Sequence, residues 1–92
     1  MGEPNSVRLP EVLDIIAARP LAAEILSQRG SPLTLDASRV QRLGGLCLQV
    51  LLSAHSTWSA DGQAFFVSQP SAEFIDGVTQ FGAPELALAQ RG

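Results

Sequence analysis

Few side chains in this sequence are reactive, and their spacing decides what chemistry is open to them. Cys47 and His55 are the single cysteine and the single histidine, both inside the apolar stretch QRLGGLCLQVLLSAHSTW. One thiol and one imidazole on a single helix do not make the four-ligand shell of a zinc site, so neither metal nor cofactor is expected. A helix N-terminus would favour a Cys47 thiolate. Its neighbours Leu46, Leu48 and Leu51 make it a small core residue instead. His55, beside Leu48, Leu51 and Trp58, reads as a packed or half-exposed helix histidine rather than a general base. Asp14, Asp36, Asp61 and Asp76 stand where caps and turns use carboxylates, and no pair has the spacing of an acid–base couple. The chain is therefore not expected to be an enzyme.

The pair Gly44-Gly45, just ahead of the leucine-rich run, invites a phosphate-binding reading, because the first amides of a helix attract anions. A nucleotide loop needs a lysine in G-x-x-x-x-G-K-[ST], and this chain has none. A dinucleotide fingerprint fails too, for want of three spaced glycines. Gly44-Gly45 is left as the end of one element and the start of the next.

The elements that must hold these residues follow from periodicity. SVRLPEVLD alternates loosely around Pro10 and suggests one or two short edge strands. A helix follows, with Pro20 in its first turn, Leu21, Ile25 and Leu26 on one face and Gly30 at its stop, while Ile15 and Ile16 form an irregular lead-in. PLTLDAS is a compact strand. From Leu46 to about Ser59 the apolar density is that of a buried helix, with Cys47, Leu48, Leu51, Leu52, Ala54, His55 and Trp58 facing the core. AFFVS, apolar on both faces, reads as a central strand. Ser71 caps a third helix on which Phe74, Val78 and Phe81 share a face, Gly82 ends it, and Pro84 seeds a last turn with Leu86 and Leu88. Strand and helix alternate, which makes the chain α/β, with helices packed on a sheet.

Bulk composition narrows the partners. The 92 residues suit one domain, with residues 6–90 as its core and residues 1–5 and 91–92 as loose ends. The net charge is −3, and six scattered arginines form no basic stripe, so no nucleic acid is expected. No apolar run approaches the ~20 residues of a membrane span. The start lacks the form of a signal peptide, and one cysteine allows no internal disulfide; a cytoplasmic protein is expected.

LTLDASRVQRLGGLCLQVLLSA resembles the STAS domain, the fold shared by anti-sigma-factor antagonists and the cytoplasmic tails of sulfate transporters. The family's core reads D-L-S-x-V-x-x-I-D-S-[SA]-G-L-G-x-L-L, and Asp36, Ser38, Val40, Leu43, Leu48, Leu51 and Leu52 match it in register. VSQPSAEFIDGVTQFGAPEL and EVLDIIAARPLAAEIL are similar to the family's later and earlier segments. The resemblance implies a small STAS-like fold of about four strands in a mixed sheet, with helices mainly on one face. It also implies a partner-switching role, in which a kinase-type anti-sigma factor phosphorylates a serine at the start of the second helix. That serine falls on Gly45 and the preceding Asp on Gly44, so the usual phosphoacceptor is missing here. Ser38 and Ser53 are offset from the acceptor position and do not inherit its role. RLGGLCLQVLLSA is further similar to a variant of this fold encoded alongside bacterial chemotaxis components.

These readings give a docking surface of Arg42, Gly44, Gly45, Leu46, Gln49 and Ser53, with Val50 beside it and Arg39 and Arg42 as a polar rim. The expected occupant is a protein, of kinase or anti-sigma type. The alternative is service as an accessory subunit of a lipid or anion transport complex. Little sequence precedes the LTLDA strand, which suggests a trimmed sheet whose exposed edge offers a route to a homodimer.

Overall fold

The computed structural model describes residues 6–83. In chain order the elements are β1 (Ser6–Arg8), β2 (Val12–Leu13), α1 (Ile15–Leu26), β3 (Leu33–Asp36), β4 (Arg42–Leu43), α2 (Gly45–Ala60), β5 (Phe65–Ser68) and α3 (Ala72–Gln80). A strand, a two-residue strand and a helix thus occur twice in succession before β5 and α3. Each helix returns the chain to the end of the sheet from which it started, so neighbouring strands pair in parallel. β1, β3 and β5 form one sheet in that order, and β2 pairs with β4 in a second. The α/β layer is as expected. Its described strands divide three and two and pair in parallel, where about four in a mixed sheet were anticipated. β4 left no mark on the sequence because two residues are too few to show alternation.

β3, not β5, is the central strand among the described residues: β5 pairs with β3 alone. Phe65 and Val67 of β5 face the helices, whereas Phe66 lies on the reverse face beside Thr34. Val7, Leu35 and Val67 stand in register across the sheet, all essentially buried. Burying such a side chain contributes about 1.5–3 kcal/mol. Phe65, on the same face as Val67, meets α2 edge-on, with its ring 5.3 Å from that of His55 and 6.3 Å from that of Trp58. The reverse face carries Ser6, Arg8, Asp36, Phe66 and Ser68, exposed or half-buried, and Thr34, which is buried. The three described helices therefore cover mainly one face.

α1 begins earlier than its proline suggested. Asp14 caps it, its carboxylate accepting from the Ala17 amide at 3.0 Å, and Ile15 and Ile16 are helical rather than a lead-in. Pro20 lies inside the helix, where it cannot donate to the Ile16 carbonyl; both residues are exposed, so water can replace that bond. Leu21 and Ile25 are buried as expected, but Leu26 is exposed. In α3, Ser71 caps as expected, accepting from the Phe74 amide at 3.0 Å, and Phe74 and Val78 are buried. Phe81 is not their companion: the helix ends at Gln80, and Phe81 is left 54% exposed. Gly77 lets α3 close on β4, since a Cβ there would lie 3.0 Å from the Leu43 side chain. The anticipated turn at Pro84 with Leu86 and Leu88 lies outside the described residues.

α1 packs against α2. Beyond their C-termini, Arg29 grips the Asp61 carboxylate through two nitrogens, at 2.9 and 3.3 Å. The guanidinium hydrogen bond holds the Asp61 carboxyl below its usual range. Trp58, fully buried, donates its indole N–H to the Ser31 carbonyl at 2.7 Å and fixes the loop into β3.

Candidate partner-docking site

The start of α2 is built by the short β2–β4 pair. The Gly44 amide donates to the Leu13 carbonyl at 2.8 Å, continuing that ladder by one bond. The Gly44 carbonyl then accepts from Leu48 and opens the helix. Gly44 is thus at once the last ladder residue and the N-cap, with extended backbone angles (φ −87°, ψ 162°) and no capping side chain. A Cβ at this position would sit 3.0 Å from the Leu13 carbonyl oxygen, tighter than such atoms normally approach. The close approach of two backbones is the physical reason for glycine here.

Gly45 differs. A Cβ there would meet only the Phe81 ring, at 3.7 Å, an ordinary van der Waals distance. Position 45, where the resemblance would put an acceptor serine, is therefore open and exposed and holds no hydroxyl. The two glycines, equivalent in sequence, are opposite in their surroundings.

Neither reactive side chain serves the site. Cys47 is buried and its thiol donates to the Asp14 carbonyl at 3.2 Å. Burial, and after it the nearby Asp14 charge, push its pKa up, which keeps it a thiol. His55 is half-buried against Phe65. Ser38 is committed locally: its hydroxyl donates to Asp36 at 2.7 Å and its amide to the same oxygen at 2.9 Å. Those bonds, with smaller contributions from Arg8 and Arg39, hold the Asp36 carboxyl below its ordinary value. The Ser71 hydroxyl donates to the Val40 carbonyl at 2.6 Å besides capping α3. Among the described residues no group of three His, Cys, Asp or Glu could hold a metal ion. None of their helices is long and apolar enough to cross a membrane.

The residues picked from sequence lie as follows. Arg42, Gly45, Gln49 and Ser53 are exposed, Gly44 is half-buried, and Leu46 is 51% exposed. Leu46, Gln49 and Ser53 come together on one flank of α2, where they face Ala22, Ile25 and Leu26 of α1 across a groove of about 300 Å³. Arg42, Gly44 and Gly45 are not among the residues lining that groove and lie at the junction of β4 and α2. Arg39 is exposed beside a separate polar depression with Glu11 and Glu73.

Sequence reasoning missed the α1 side of this surface, and Phe81 beside Gly45. Ile15 and Ile16, 74% and 79% exposed, crown the start of α1. The signal was present: Ile15, Arg19, Ala22 and Leu26 recur at i, i+4, i+7 and i+11, a helical stripe. Pro20 obscured it by hiding the helix start.

A protein-family model described as "Mlab, STAS domain" matches residues 1–88. Comparison with curated proteins and with solved structures gave no significant match.

Proposed function

The chain belongs to the STAS domain family, and from that premise we propose that it is a non-enzymatic docking module that holds a protein partner through the Gly44-Gly45 loop and the exposed flank of α2. The observation that carries this reading is Leu46, half exposed directly after two residues without side chains, on a helix of 16 residues that contains no Asp, Glu, Lys or Arg. Depletion of charged residues is a compositional mark of an interface core. Gly45 at the acceptor position means that the partner is not released by phosphorylation there. Regulation then lies in the partner, or the contact is permanent.

The partner favoured is a kinase-type regulator, of the anti-sigma class or from a chemotaxis pathway. Permanence favours a second reading, an accessory subunit of a lipid or anion transport complex, in which an uncharged interface stays covered. Both readings use the same surface and predict the same lesion. Leu46→Arg and Gly45→Glu place charge on it without touching the core, and each should abolish capture of the partner by the purified chain. Capture unchanged by both substitutions removes this surface from the function. Incubation with ATP and a candidate kinase should leave the wild-type chain unmodified at the start of α2.

A further inference from the structure

The first turn of α1 lies against Cys47 and is held down by little. Of residues 15–19 only Ala18 is buried; Ile15, Ile16 and Arg19 are exposed, and Ala17 packs partly against the core. The larger apolar anchors of the helix, Leu21 and Ile25, both come after Pro20. Pro20 has no amide to give the Ile16 carbonyl, so one of the bonds that would join the first turn to the rest of the helix is missing. A proline also disfavours helical angles in the residue before it, here Arg19. What holds the turn is at its front edge. The Asp14 carboxylate accepts from the Ala17 amide at 3.0 Å, and the Asp14 carbonyl accepts from the same amide at 3.1 Å and from the Cys47 thiol at 3.2 Å. One residue earlier, Leu13 belongs to β2 and is tied to Gly44 by the ladder.

From this arrangement we infer that residues 14–19 form a lid, hinged at Pro20 and latched by the Asp14 cap, that opens by itself while the rest of the chain stays folded. Opening breaks the cap and the Cys47 bond, and it uncovers a thiol that is fully buried while the lid is shut. Segments with few buried apolar contacts open at a lower free energy than the core. Here little burial is lost, because Ile15 and Ile16 are in water already. The β2–β4 pair stays closed, since the bond from Gly44 to Leu13 lies outside the lid. The lid borders the start of α2: a Cβ on Gly44 would lie 3.9 Å from the Asp14 Cα. Its two states therefore present different surfaces beside Gly44, with Ile15 and Ile16 fixed in place when it is shut and released when it is open.

Labelling of Cys47 by N-ethylmaleimide, followed by mass spectrometry on the full chain at fixed pH, reads the opening. The lid predicts a rate that is flat in low urea, because local opening exposes little surface, whereas labelling through global unfolding rises steeply with urea. Asp14→Ala should speed labelling about five-fold by removing the latch. Pro20→Ala should slow it about tenfold or more by restoring the missing amide. Val67→Ala opens a cavity in the sheet, outside the lid; it weakens the whole fold and should leave the rate unchanged. A rate that climbs with urea from the outset, or one that Val67→Ala accelerates, means that Cys47 is reached only by global unfolding and overturns the inference, as does no labelling below the unfolding transition. A flat rate that Asp14→Ala leaves unchanged removes the latch, and one that Pro20→Ala leaves unchanged removes the hinge; either overturns the lid. The urea dependence of the wild type decides between local and global opening even where a variant fails to fold.

Discussion

Gly44 and Gly45 should respond in opposite ways to the same added methyl group. In Gly44→Ala the new Cβ lies 3.0 Å from the Leu13 carbonyl oxygen, which already accepts the Gly44 amide at 2.8 Å. Either the β2–β4 ladder opens by a few tenths of an ångström or the start of α2 shifts. Overpacking of this kind costs about 1–3 kcal/mol. Alanine is also a poorer N-cap than glycine, by roughly 0.5 kcal/mol. Against these stands the lower entropy of the unfolded alanine chain, about 0.4–1 kcal/mol. The net expectation is a loss of about 0.5–3 kcal/mol. In Gly45→Ala the methyl group makes normal contact with Phe81 and the helix gains propensity, so the expected change is a gain of about 0.5 kcal/mol. Urea unfolding followed by far-UV circular dichroism reads both. In a chain of 92 residues each kcal/mol moves Tm by about 4–8 °C. Should Gly44→Ala prove as stable as wild type, or Gly45→Ala the less stable of the two, the argument from the Leu13 carbonyl is wrong.

Asp36 gives a pH prediction. Its carboxyl is held below its ordinary value mainly by the Ser38 hydroxyl and amide, so its contribution is present above the unfolded pKa near 3.8 and is lost as pH falls through the lower folded value. Asp36→Asn should flatten the acid limb of stability below about pH 4, as read from urea midpoints between pH 3 and 7, and an unchanged limb counts against it. Trp58 is the sole tryptophan and fully buried, so its emission should red-shift on unfolding. Trp58→Phe removes the donor to the Ser31 carbonyl and part of the core volume, for a loss of about 1–3 kcal/mol in denaturant unfolding.

Long periodic segments carried their structure legibly in the sequence, and short or interrupted ones did not. The density of leucines around Cys47 placed α2 within a residue at each end, and the division of its faces put Leu46, Gln49 and Ser53 outside. The Asp36-to-Leu52 pattern pointed to the family. β4 was invisible because pairing with β2, not local preference, makes two residues a strand. α1 was read short because a proline is an ambiguous signal: it suits a first turn, but an Asp14 cap six residues earlier had already fixed the helix start. Phe81 was assigned to the core by spacing that holds only while the helix continues, and Gly82, with φ 72°, lies just beyond its end. The distinction between Gly44 and Gly45 could not be read at all, because it depends on a carbonyl thirty-one positions upstream.

That the described strands all pair through crossovers has a consequence for the chain as it is made. Ser6 pairs with Thr34, Val12 with Arg42 and Leu33 with Phe65, so no strand finds its neighbour until about thirty more residues have followed it. There is no hairpin among them to close early. At about 5–20 residues per second on the ribosome, Val7 and Leu9 wait roughly one to six seconds for β3, with α1 the one described helix made in that interval. The nascent chain is therefore most exposed to proteases and to misassociation while α1 stands alone, and a chaperone that recognises aliphatic segments has its opportunity in that interval.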